Sequence, residues 1–182
     1  MAGQESATDR LRVAVQNDSA LVKVSGRGTF RISSSLREFG IAAIGMDCSR
    51  IVFDMSGCVG MDSTFMGTIA GLALRLREKR SSSGSVILCR LSAKTIGLVR
   101  TLGLDRITEP YLDGEEPDEI RALLGDKDDF ETLIQRRESD EDTTETMLNA
   151  HESLVDVEPD NIKKFRDVID FLREDLNRNT ES

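Results

Sequence analysis

The feature that most constrains this chain is an alternation of two periodicities that runs from residue 11 to residue 111 and then stops. Leu11, Val13 and Val15 alternate with Arg12 and Ala14, Asn17-Asp18 signals a turn, and Leu21, Val22 and Val24 follow. A period of two on either side of a turn predicts a β-hairpin with strands at 11–16 and 20–25. Ser33-Ser34-Ser35 offers a helix start, and Leu36, Phe39 and Ala43 recur at helical spacing up to residue 45. Ile51-Val52-Phe53 is a continuous apolar run, as expected of a buried strand. Asp54 to Ser63 reads as a turn-rich stretch. It leads into a helix over 64–79, with Phe65, Ile69, Leu72 and Leu76 on one face. Ser81 to Gly84 reads as a loop and Ser85 to Cys89 as another buried strand. Ser92 to Leu102 reads as a helix with Ile96 and Val99 inward. Ile107 to Tyr111 predicts a last short strand, edged by Pro110.

The order β-β-α-β-α-β-α-β implies an α/β fold, a mixed sheet with helices packed on it. Beyond Tyr111 the strand signals end. Asp118–Leu124 and the group Phe130, Leu133 and Ile134 predict short helices. Arg136–Glu145 is highly charged and reads as a flexible linker. Met147, His151 and Leu154 fall on one helical face. After Pro159, the residues Ile162, Phe165, Ile169, Leu172 and Leu176 form the clearest amphipathic pattern in the chain. Such a face must bury against the domain, a neighbouring helix, a second copy or a partner. We therefore expect a domain over 1–112 and an acidic, mostly α-helical C-terminal extension over 113–182.

Charge divides the chain at the same place. Residues 1–112 hold 15 Lys/Arg and 10 Asp/Glu and residues 113–182 hold 9 and 23, so the net charge of −9 splits into +5 and −14. An acidic segment of this kind can lie against the basic domain or compete with a partner for it. The net negative charge, the absence of Trp and the single Tyr argue against nucleic acid as a partner. No apolar run approaches the length of a membrane helix, and the N-terminal MAGQESATDR has no apolar core, so neither membrane insertion nor a secretory signal is expected. Cytoplasmic localisation follows as the expectation. Cys48, Cys58 and Cys89 are too few and too scattered for a disulfide framework and lack zinc spacing, so they read as reduced core thiols. His151, the only histidine, reads as an ordinary, partly exposed side chain. Gly57, Gly60 and Gly67 do not form a phosphate-binding loop, and Asp54 and Asp62 have no base near them in sequence. Neither a cofactor nor a metal is expected, and no enzymatic activity.

The stretch IVFDMSGCVGMDSTFMGTIAGL, residues 51–72, carries the functional signal. Phe53-Asp54-Met55-Ser56, a short loop, and then Asp62-Ser63-Thr64-Phe65-Met66 opening a helix, with Gly67 just after, resemble the STAS family of sulfate transporters and anti-sigma factor antagonists. The likeness covers roughly residues 11–112, including the order of elements, and leaves out the acidic extension. Family members often carry Gly where this chain has Phe65, which either packs inward or protrudes at the docking face.

The resemblance implies an anti-sigma factor antagonist that works by partner switching. It implies phosphorylation of Ser63, with Thr64 as second candidate, and a docking surface of Asp54, Ser56, Asp62, Ser63, Thr64, Phe65 and Met66. The implied partners are an anti-sigma factor that is also a serine protein kinase, and a PP2C-type phosphatase for resetting. The residues themselves indicate that Ser63 sits where a loop enters a helix, at an expected N-cap. A phosphate there would be tolerated by the helix N-terminus, yet would add about −1.5 to −2 charges beside Asp62. Two other readings compete. The chain can be a structural STAS subunit of a transport or signalling complex, or a STAS module sensing a nucleotide or small anion. The C-terminal helix could also serve a homodimer.

Overall fold

A computed structural model of the chain describes residues 8–80, 83–125, 129–135 and 138–180. The hairpin forms as the alternation requires. Strands β1 (Arg10–Gln16) and β2 (Ser19–Gly28) pair antiparallel around Asn17, whose φ of 55° makes the tight turn. Helix α1 (Phe30–Gly45) follows. It starts one turn earlier than the Ser33–Ser35 signal, with Thr29 at the N-cap, and those serines are buried inside the helix. Strand β3 (Arg50–Met61) is far longer than its apolar run. The stretch expected to be turn-rich continues as strand, with register shifts against β2 that absorb its glycines.

Helix α2 (Ser63–Lys79), strand β4 (Ser85–Leu91), helix α3 (Ala93–Thr101) and strand β5 (Glu109–Leu112) complete the alternation. The Ser81-Ser82 part of the expected loop lies outside the described residues. Helix α3 is fixed at its start by a reciprocal capping box between Ser92 and Thr95. Beyond it come helix α4 (Asp118–Leu123) and strand β6 (Glu131–Thr132). Strand β6 replaces the helix expected around Phe130–Ile134. Two residues pair antiparallel with the free edge of β1, because an open edge offers unpaired N–H and C=O groups to any extended segment that reaches it. The sheet order is β5-β4-β3-β2-β1-β6, with β2, β3, β4 and β5 parallel.

The period of two sorts strand side chains to the two faces. Val22, Val24, Ile51, Phe53, Met55 and Leu88 face α1 and α2 in the main core. Leu21, Val52, Ile87 and Cys89 face the other way, against Ile120, Leu124 and Phe130. Residues just beyond the last parallel strand thus cover the second face of the sheet.

The acidic segment is more ordered than its composition implies. Ser139 caps helix α5 (Asp140–Val157) through a capping box with Asp142, so most of the expected linker is helical; Arg136 and Arg137 lie outside the described residues. Three acidic residues in the first turn favour this start, since they face the positive end of the helix. Pro159–Asn161 forms a tight turn into helix α6 (Ile162–Thr180). Helix α5 packs along α2, and Leu154 joins the main core. Helix α6 packs back on α5, with Ile169 and Leu172 buried. The centre of the amphipathic face of the last helix is therefore covered by its own chain, while Ile162, Phe165 and Leu176 are half-buried.

Candidate functional site

The N-terminus of α2 is built by one carboxylate. Asp62, not Ser63, is the N-cap: its Oδ1 accepts from the Phe65 amide at 2.9 Å. Its Oδ2 accepts from the Phe30 amide at 2.8 Å, at the start of α1. One side chain thus satisfies an orphan donor on each of two helices. The Asp62 amide donates to the Gly28 carbonyl at 2.8 Å, which binds the end of β3 to the end of β2.

With capping assigned to Asp62, the Ser63 hydroxyl is available for another partner. That partner is His151 of α5, whose Nε2 lies 3.0 Å from Ser63 Oγ. The His151 Nδ1 lies 2.7 Å from the Met147 carbonyl oxygen. A carbonyl can only accept, so Nδ1 carries a proton and donates to it, which leaves Nε2 to make the hydrogen bond with the Ser63 hydroxyl. The ring also meets Phe165 of α6 edge-on, with centroids 5.0 Å apart. His151 is 5% exposed, contrary to its reading as an ordinary, partly exposed side chain. It lies 88 residues from Ser63, so spacing gave no hint of the pair.

The other residues of the expected docking surface divide in two. Ser56 is exposed and Ser63 is partly exposed; Val59 on β3 and Phe30 at the start of α1 are exposed at 62% and 39%. Thr64, Phe65 and Met66 are buried. Phe65 packs inward, fully buried, with its ring over Gly28, where a Cβ would have no room. Asp54 is also buried. It accepts from the Ser56 amide at 3.0 Å and from Arg90 Nη1 at 2.9 Å, so it shapes the strand end from beneath. Arg90 adopts a left-handed φ of 56° and also faces Glu116 at 3.7 Å.

Helix α5 covers α2 closely. Ser63, Gly67 and Gly71 recur every four residues along α2. A Cβ on Gly67 would collide with the Ala150 carbonyl, and one on Gly71 would stand 3.0 Å from Ser153 Oγ. A cavity of about 240 Å³ remains between α1, α2 and α5, with Arg37, Arg75, Glu152 and Asp156 among its walls. The hairpin of α5 and α6 is pinned at its turn by Arg106 Nη1 against Glu158 Oε2 at 2.6 Å and by Lys164 Nζ donating to the Thr101 carbonyl at 3.0 Å. Among the described residues no cluster of His, Cys, Asp or Glu could hold a metal ion, and no helix is long and apolar enough to cross a membrane.

A mixed six-stranded sheet with helices in this order is a STAS-like fold. The STAS domain family model matches residues 9–116, well over half the chain, and the chain belongs to that family. In fold it is similar to the Thermotoga maritima protein TM1081, assigned as an anti-sigma factor antagonist, at 14% identity and a TM-score of 0.51. That match covers 64% of this chain and 95% of the other. The anti-sigma factor antagonist SpoIIAA in its unphosphorylated form matches at 19% identity and a TM-score of 0.47, over 62% of this chain and 94% of its own. The Bacillus SpoIIAA in its phosphorylated form matches at 20% identity and a TM-score of 0.47, over 62% and 98%. No curated protein sequence matches the chain.

Proposed function

We propose that the protein is an anti-sigma factor antagonist, a binding module without catalysis of its own that switches partners through phosphorylation of Ser63. The observation that carries this reading is the division of labour at the start of α2. Asp62 does the capping, and the Ser63 hydroxyl, partly exposed at the first helical position, serves no structural cap. Thr64 is 5% exposed, which favours Ser63 as the acceptor. The exposed Phe30, whose amide bonds Asp62, and the exposed Val59 near the end of β3 supply apolar area for a docked partner. A phosphate on Ser63 would place about two negative charges next to Asp62, repelling that partner while the sheet stays intact.

In this reading the partner is an anti-sigma factor that is also a serine kinase of the GHKL type, a PP2C-type phosphatase resets the switch, and the compartment is the cytoplasm. Incubation with the GHKL-type kinases of the source genome and ATP, followed by phosphosite mapping, tests it. Phosphate at Ser63 and weakened kinase binding by Ser63→Glu are expected. Phosphate elsewhere only, with unchanged binding by Ser63→Glu, would refute it.

A further inference from the structure

We infer that the α5–α6 hairpin is a cover held in cis over Ser63, and that a docked hairpin and a phosphorylated Ser63 exclude one another. The inference rests on the reading of Ser63 as phosphoacceptor.

Three observations carry it. The Ser63 hydroxyl is tied to the buried Nε2 of His151 at 3.0 Å, so its approach from the α5 side is closed. Helix α5 cannot shift toward α2 to compensate, because the Ala150 backbone already lies against Gly67. The ring cannot swing away while the hairpin is docked, since Met147 holds Nδ1 and Phe165 abuts its edge. Phosphorylation forms an Oγ–P bond to the γ-phosphoryl of a nucleoside triphosphate and breaks the bond to the leaving diphosphate. The hydroxyl proton passes to a base of the kinase. The product carries three oxygens on a tetrahedral phosphorus where one hydrogen stood. With Nε2 only 3.0 Å from Oγ, that group cannot point toward α5 without displacing the His151 ring.

The coupling is reciprocal. A docked hairpin disfavours phosphorylated Ser63 by the same free energy with which the phosphate disfavours docking, and the shielding also slows modification. The acidic extension then acts as a competitor for the partner surface. A kinase must displace it, and the fully phosphorylated chain exposes both α2 and the inner face of α5.

The structure supplies a lock with which to test this. Gly71 and Ser153 face one another with Cβ positions 3.8 Å apart, the spacing of a disulfide. In the full chain carrying Gly71→Cys and Ser153→Cys, oxidation should slow Ser63 phosphorylation by a GHKL-type kinase by about tenfold or more, and reduction should restore it. Independently of any kinase, hydrogen exchange of full-length Ser63→Glu should show α5 amides losing protection while β2, β3 and β4 keep theirs. Ser63→Ala should leave α5 protected. Equal phosphorylation rates in the oxidised and reduced forms, or an α5 as protected in Ser63→Glu as in the wild type, would overturn the cover. No kinase modifying even the reduced form would remove the acceptor reading instead, and the exchange result would then decide the exclusion alone.

Discussion

The fully buried carboxamide of Asn161 donates to the carbonyl oxygen of Leu102, 59 residues away, at 3.0 Å. Its Nδ2 also donates to the Leu154 carbonyl at 2.8 Å. One side chain thus joins the turn between α5 and α6 to the end of α3. Asn161→Leu would take this donor from the buried Leu102 carbonyl, whereas the Leu154 carbonyl keeps the Glu158 amide at 3.1 Å. An orphaned buried group costs about 1–3 kcal/mol. We expect a loss of about 1–3 kcal/mol in urea unfolding, with increased exchange of α6 amides.

Asp62 has a comparable role at the start of α2. Asp62→Ala removes the acceptor of the Phe65 and Phe30 amides together. Loss of one N-cap costs about 1 kcal/mol, so a loss of about 1–3 kcal/mol is expected here. Asp62→Asn keeps an acceptor oxygen and should recover part of it. Urea midpoints of the two variants provide the comparison.

Phe65 and Gly28 form a matched pair, a large ring over a residue without a side chain. Gly28→Ala would drive a methyl group into the ring, with Cε1 only 2.6 Å from the new Cβ. Overpacking of this kind costs about 1–3 kcal/mol. Phe65→Ala would open a cavity in the main core at about 3–5 kcal/mol. The double variant should be less destabilised than the sum of the two, because the methyl group enters space the ring has left. Thermal unfolding of the three chains measures the difference.

The sequence made the sheet and its first three helices readable because their apolar residues keep a strict period over whole elements. Strand β3 outran its apolar run because strand pairing, not side-chain hydrophobicity, carries Gly57 to Met61 along β2. Strand β6 escaped notice because two residues hold no period, and only a free sheet edge makes them a strand. At the site, the Asp62-Ser63 motif marked the helix start, but the choice of cap depended on side-chain reach. His151 was invisible as a partner, since α5 reaches Ser63 through tertiary packing alone. The one available signal was the spacing of Ser63, Gly67 and Gly71, a small-residue stripe that admits another backbone closely.

The cysteines offer a chemical check on the core. Cys48, Cys58 and Cys89 are all buried and free. Burial pushes each thiol upward, and Cys89, further raised by Glu116 and Asp54, reaches about 12. At pH 8 its thiolate fraction is then on the order of one in ten thousand, and the thiolate is the reactive form. Ellman's reagent should find no fast-reacting thiol in the folded protein at pH 8. In denaturant it should titrate all three.

Acid stability provides the last test, through Glu116. Burial by itself would raise this carboxyl, whose side chain is 2% exposed. The backbone amides of its own residue and Gly114, together with the Arg121 guanidinium, outweigh burial and hold it below its ordinary 4.5. A carboxyl lowered in the folded state binds fewer protons there than when unfolded. Its contribution is therefore complete above about pH 4.5 and is lost as the pH falls through the folded value. Glu116→Gln cannot titrate. It should be less stable than the wild type at pH 7, and the gap should narrow as the pH drops below 4.5. A gap that stayed constant between pH 7 and pH 3 would show that Glu116 does not carry this dependence. Chemical unfolding of both proteins across that range gives the answer.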